Sequence, residues 1–185
     1  MNTKFLSCLF LFSVLFISCS SDDDSGAPDT GSEQEATLIT RTDVSFELET
    51  SSNTDPKIAY STSEGKIYKE SELNATNIAT IDLLSFVNQS FISFDSPDDI
   101  EPIITGAKRT KYQYENVTLT VADFDSMVDD SKLKSLTINE ENTESISSTT
   151  SKDVIILFEN EGRKGAMKVK AINSTRLLVD IKVQK

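Results

Sequence analysis

The sequence predicts a mainly β protein: one antiparallel, sandwich-like domain with a single short helix at about 121–129 and a C-terminal hairpin. Three observations carry this. From Leu38 onward the dominant hydrophobic period is two, the pattern of strands with one wet face. The clear departure, at Val121, Phe124 and Val128, has helical spacing, and nothing in the chain alternates long strands with long helices as βαβ units do. Residues 38–185 also have the length of one ordinary domain and show no repeat.

The first strand lies in LITRTDVSFELET, where Leu38, Val44, Phe46 and Leu48 share one parity and Arg41, Asp43, Ser45, Glu47 and Glu49 the other. Further strands are expected at 57–62, at Lys66-Ile67-Tyr68 after a Ser63-Glu64-Gly65 turn, at 78–87 and at 90–94. The last of these stops at Ser96-Pro97-Asp98-Asp99, because proline donates no ladder hydrogen bond and aspartate favours turns. The run 153–159, DVIILFE, is apolar without alternation and reads as a central strand covered on both faces.

Thr120 and Asp123 form a capping-box-like start, and the acids in the first turn suit the positive end of the helix dipole. A second turn through Leu133 and Leu136 is possible. At the C-terminus, Met167, Val169 and Ala171 alternate with Lys168 and Lys170. After a turn at Asn173-Ser174, Leu177, Val179, Ile181 and Val183 alternate with Asp180, Lys182 and Gln184. One face of this hairpin is greasy and the other mostly basic.

The first residues address location. Residues 5–17, FLSCLFLFSVLFI, are uncharged and almost wholly apolar, yet as a helix they cover only about 20 Å of a roughly 30 Å hydrocarbon core. They read as the apolar stretch of an export signal. A small residue, Ser18, precedes Cys19, and Ser20, Ser21, Asp22, Asp23 and Asp24 follow. This segment resembles bacterial lipoprotein precursors, with Phe16 where leucine is favoured three places before the cysteine. The resemblance implies a signal peptide over 1–18 and attachment of a diacylglyceryl group and palmitate at Cys19. The serine-aspartate run resembles the export signal of Bacteroidota-type surface lipoproteins, which implies the outer leaflet of the outer membrane. A lipoprotein facing the periplasm and a plain secreted protein are the alternatives. Residues 19–37 are acidic and lack large apolar side chains, so they are expected to be a disordered tether. The C-terminal block, with its KG-x-x-K-x-K strand and VDIKVQK ending, resembles uncharacterised β-rich lipoproteins of the same group and brings no activity with it.

The chain carries 18 basic and 30 acidic residues, and 7 of the basic ones fall in 162–185 beside a single acid, Asp180. Such a balance opposes binding to nucleic acid. The basic end is expected either to lie beside acidic strands or to dock an acidic envelope component. There is no histidine, and the lipid would consume the thiol of Cys19. A Ser-His-Asp triad, a thiol nucleophile and a His or Cys metal site are thereby excluded.

Carboxylates are the remaining chemistry, and two of them roughly 5 to 9.5 Å apart can hydrolyse glycosides. No cofactor is expected. For a metal, Asp95, Asp98 and Asp99 in the loop after 90–94 are weak candidates. Asp123, Asp125, Asp129 and Asp130 lack the glycine and terminal glutamate of a calcium loop. For a ligand, Tyr112 and Tyr114 beside Lys108, Arg109 and Lys111 are the best candidate exposed aromatic pair, with Tyr60 and Tyr68 next. Asn74, Asn88, Asn116 and Asn173 begin N-x-S/T triplets, and Asp125-Ser126-Met127 resembles a short bacterial O-glycosylation motif. Together these features point to a lipid-anchored, non-catalytic binding or accessory module of the envelope, with a glycan or an envelope protein as partner. A carboxylate-dependent glycosidase and a purely structural envelope protein are the rivals.

Overall fold

Local alternation becomes ten strands in two antiparallel five-stranded sheets in the computed structural model, which describes residues 36–116, 118–140 and 145–185. The export signal, Cys19, Ser20–Asp24 and the tether as far as residue 35 lie outside the described residues. In chain order the strands are β1 (Leu38–Glu47), β2 (Lys57–Ser61), β3 (Lys66–Lys69), β4 (Leu83–Val87), β5 (Phe91–Asp95), β6 (Thr110–Gln113), β7 (Ser145–Ser147), β8 (Ile155–Asn160), β9 (Arg163–Ile172) and β10 (Arg176–Gln184). One sheet runs β1-β10-β9-β8-β6 and the other β3-β2-β4-β5-β7. The first strand therefore pairs with the last, Leu38 opposite Gln184 and Phe46 opposite Leu177.

The two greasy faces meet in a central core that includes Phe46, Tyr60, Ile92, Phe94, Ile156 and Phe158. Phe46 presents its edge to Tyr60 and Phe94 at centroid distances of 6.1 and 5.4 Å. Each of these buried side chains contributes about 1.5–3 kcal/mol relative to its exposure. β8 is apolar on both parities because both of its faces are covered. Ile156 and Phe158 point to the central core, while Ile155 and Leu157 pack under Phe124, Met127 and Leu133 of the helical segment. Outside the second sheet, Ile58, Ala59, Ile78, Ile81, Leu84 and Ile100 make a third cluster.

The helical segment is two short helices, α1 (Val121–Ser126) and α2 (Ser131–Ser135), where one helix to residue 129 was expected. The capping box is present: Asp123 N–H donates to Thr120 Oγ1 at 3.1 Å, and Thr120 N–H donates to the Asp123 carboxylate at 3.2 Å. The C-terminal end of α1 rests on Lys182, whose buried Nζ donates to the carbonyls of Phe124 at 2.8 Å and Met127 at 2.7 Å. That contact satisfies carbonyls which a helix end leaves open, and it ends α1 before residue 129.

Two bulges overturn the parities read from the sequence. β1 shifts register between Arg41 and Val44, with Asp43 at φ 57°. Ile39, not Leu38, thus packs on the central core, and Leu38 turns to the helix side. β9 shifts where Leu178 faces Ala171 and Val179 faces Val169, so Ile172 takes the core place expected of Ala171. A bulge adds one residue to one strand, and every side chain beyond it changes face. The expected strand 78–87 is also divided: Ile78–Thr80 form a single 3-10 turn, and β4 starts only at Leu83.

β8 and β9 are joined by Glu161-Gly162, both with positive φ, 49° and 85°. That is the paired left-handed geometry of a two-residue hairpin, which glycine adopts without cost at the second position.

Candidate functional site

The structure overturns the exposed tyrosine platform. Tyr112 and Tyr114 are only 7% and 5% exposed and belong to the central core. Their hydroxyls staple the two sheets, Tyr112 donating to Asp95 O at 3.2 Å and Tyr114 to Phe94 O at 3.2 Å. Burial pushes the Tyr112 hydroxyl well above its ordinary titration range. Their faces cannot stack on a ligand. Tyr60 is buried on Phe46, and Tyr68 is buried with its hydroxyl on Glu64 at 2.5 Å and Lys66 above its ring.

Lys108, Arg109 and Lys111 are engaged as well, with Glu161 at 2.8 Å, Glu140 at 2.6 Å and Glu159 at 3.6 Å. The basic hairpin is used inside the domain: Lys168 pairs with Asp125, Lys170 with Asp43 at 2.6 Å, and Lys164 donates to Leu136 O at 2.5 Å. Lys164, Lys168 and Lys182 form the seat of α1 and α2.

Asp95, Asp98 and Asp99 do not converge. Asp98 accepts from Ser96 Oγ, Asp99 N–H closes the turn on Ser96 O at 2.9 Å, and Asp95 stands exposed at the end of β5. Among the described residues no three Asp, Glu, His or Cys side chains come together as a metal site. Of the helix-segment acids, Asp123 pairs with Lys132, Asp125 with Lys168, and Asp130 with Lys134 at 3.0 Å, while Asp129 accepts from Ser131 N–H at 2.9 Å. Ser126 is the last residue of α1, its Oγ turned back on Asp123 O at 3.3 Å.

The four N-x-S/T asparagines share one local geometry. Each side-chain oxygen accepts the backbone N–H two residues on: Asn74 from Thr76, Asn88 from Ser90, Asn116 from Thr118 and Asn173 from Thr175, at 2.7 to 2.9 Å. Asparagine closing a turn on its own backbone accounts for all four.

One concavity combines open apolar surface with unused polar groups. β2 pairs with β4 only at Ala59↔Leu84 and Tyr60↔Leu83. Beyond Leu84 the two strands part, and a groove of about 530 Å³ opens where the ladder would have continued. Pro56 and Ile58 line one wall and Ser85, Phe86 and Val87 the other. Phe86 and Phe91 border it at 42% and 40% exposure. Because Phe86 faces Ser93 across the β4–β5 pair, Phe91 is its diagonal neighbour on the same face. Ser85 is 1% exposed, and its Oγ has no hydrogen-bond partner.

Three glutamates also line this groove. Glu47 is engaged, accepting from Asn53 Nδ2 at 3.2 Å and Lys57 N–H at 3.1 Å. Among the described residues the carboxylates of Glu49 and Glu70 have no side-chain hydrogen bond or ion pair. A larger cleft of about 620 Å³ lies between β1 and β2–β3, where Arg41 donates to Thr62 O and Ser63 O at 3.2 and 3.0 Å and Asp43 holds Lys170.

The fold is shared with a DUF4466 family protein. A crystal structure of that protein, from Parabacteroides merdae, matches with a TM-score of 0.55 and 14% sequence identity. The match covers 81% of this chain and 54% of that one, so this chain spans about half the length of its neighbour. No protein-family model and no curated protein matches the chain.

Phe86 and Phe91 were not among the residues singled out from the sequence. The signal available was their place on either side of Asn88-Gln89-Ser90, a tight turn that brings the two rings to one face.

Proposed function

We propose that this is a lipid-anchored protein of the outer membrane, displayed at the cell surface through Cys19, that binds a partner and catalyses no reaction. The observation that carries the binding reading is the groove beside β4, bordered by two half-exposed phenylalanines, Phe86 and Phe91. Aromatic rings left in water at a concave site are the usual anchors of recognition.

Four carboxyl groups of the domain are tuned away from the role of a general acid. Asp55, Asp123, Asp129 and Asp130 are held below their ordinary titration range. Ser71 and Lys69 hold Asp55, Lys132 and Thr120 hold Asp123, and Ser131 holds Asp129; Asp130 is low, despite the opposing effect of burial, through Lys134, Thr37 and Gln184. The general acid of a glycosidase needs the opposite displacement. Export signal, cysteine and acidic run support the anchor and its placement, and none of the described helices is long and apolar enough to cross a membrane.

Two measurements test the reading. Mass spectrometry of the native protein should find a diacylated Cys19 at its N-terminus, and protease added to intact cells should remove the domain. An unmodified N-terminus, or a domain that resists protease until cells are broken, overturns the placement. Incubation of the purified full chain with a panel of polysaccharides should release no sugar; turnover abolished by one Asp→Asn change overturns the non-catalytic reading.

A further inference from the structure

We propose that the groove beside β4 takes an extended, basic segment of a partner protein, an inference that rests on the binding reading above and adds the chemistry of the ligand. Three properties of the groove select this occupant. It lies in the plane of a sheet, in the gap left where β2 departs from β4 after the Tyr60↔Leu83 and Ala59↔Leu84 pairs. An extended peptide can pair with the edge of β4 that lacks a partner strand on the β2 side beyond Leu84. Charge is the second property. Glu49 and Glu70 bring two unpaired carboxylates to the groove, and among the residues lining it there is no lysine or arginine. An anionic partner would be repelled, and a lysine or arginine would find both counter-charges open.

The third property is the pair of rings. Phe86 and Phe91 present apolar faces on which the methylene stem of a lysine or the plane of an arginine guanidinium can lie. Lys69, the nearest lysine in sequence to Glu70, is already held by Asp55 at 3.2 Å.

The test is a titration of the purified full chain with three labelled probes: an alternating Lys/Val dodecapeptide, its Glu/Val counterpart and a neutral glucan oligosaccharide. The Lys/Val peptide should bind and the Glu/Val peptide should not. Affinity should fall about tenfold or more on Phe91→Ala, the size of an interface anchor. A loss of similar order is expected for the double variant Glu49→Gln/Glu70→Gln, and added salt should weaken wild-type binding steeply. A charge-matched control at the far end of β5, Asp99→Asn/Glu101→Gln, should leave the affinity within about twofold, since exposed charges more than a Debye length away are screened. Thermal melts within a few degrees of wild type certify that the glutamine variants fold. Equal binding of both peptides, an equal loss in the control, or silence of the Lys/Val peptide overturns the inference. Oligosaccharide binding with both peptides silent also overturns it, while leaving the binding function of the groove standing.

Discussion

Arg163 and Asp82 join the two sheets, with Nη1 and Oδ1 3.4 Å apart. Asp82 precedes β4 and Arg163 opens β9, so this one contact spans 81 residues of chain. The other carboxylate oxygen of Asp82 accepts from Thr62 N–H at 2.7 Å and Thr62 Oγ1 at 2.6 Å, and the side chain is almost wholly buried. Asp82→Ala strands the Thr62 donors and leaves Arg163 without its counter-charge. We expect a loss of about 2–3 kcal/mol in urea denaturation. Arg163→Met removes the ion pair and two bonds to Gln184 O, at 3.2 and 2.9 Å, and should cost less, about 1–2 kcal/mol, because the guanidinium is partly hydrated and Asp82 keeps both Thr62 bonds. Equal losses in the two variants would show that the contacts of Arg163, and not the threonine donors, dominate.

Tyr114 takes the place of a strand neighbour at the edge of the second sheet. β7 pairs with β5 only from Phe91 to Ser93. At the next residue, Phe94, the backbone N–H donates to the Tyr114 hydroxyl at 2.6 Å and the carbonyl accepts from it at 3.2 Å. Tyr114→Phe keeps the ring and removes both contacts, so stability should fall by about 1–3 kcal/mol. Hydrogen exchange at the Phe94 amide should speed up more than at its neighbours. Unchanged exchange there would contradict the capping role.

Gly165 lies opposite Phe158 in the β8–β9 pair, and a Cβ built on it would stand 2.1 Å from the Phe158 ring. The ring covers the bare backbone on the inner face of the sheet, in the core between the sheets. Gly165→Ala should therefore destabilise by about 1–3 kcal/mol through overpacking, despite the higher strand propensity of alanine. The double variant Gly165→Ala/Phe158→Leu should cost less than the two single changes added together. Strict additivity in a melting series would refute the clash.

Acid should loosen α1. Lys132, with Thr120 second, holds the Asp123 carboxyl at about 2, below the ordinary aspartate range. A carboxyl whose folded value is depressed adds stability above its unfolded value, and that stability is lost as pH falls through the folded one. The contribution is complete above about pH 4 and disappears toward pH 2. In wild type the melting temperature should drop across that window more steeply than in Asp123→Asn, where the capping carboxylate is absent at every pH. Parallel profiles would count against the Asp123–Lys132–Thr120 contact.

Much of the fold was legible because the relevant forces are local. Alternation placed β2, β3, β5 and the C-terminal hairpin within a few residues, and Thr120 with Asp123 announced the start of α1. The apolar run at 155–158 correctly implied a strand covered twice. The buried role of Asp82, inside the expected strand 78–87, was not legible because its partners, Thr62 and Arg163, lie 20 and 81 residues away. Tyr112 and Tyr114 looked exposed beside three basic residues. A strand's parity states that two side chains share a face, and only the opposing sheet states whether that face is dry.

By itself, the sequence determined most of the strand content, the helix cap and the turn at Asn173-Ser174. Each of these follows from the identity of residues a few places apart, where backbone geometry acts directly. The tertiary structure alone decided that β1 pairs with β10, that the lysines of the hairpin seat two helices, and that a groove opens between β2 and β4. Those outcomes depend on which distant faces exclude water together, and on where a bulge sends the strand that carries them.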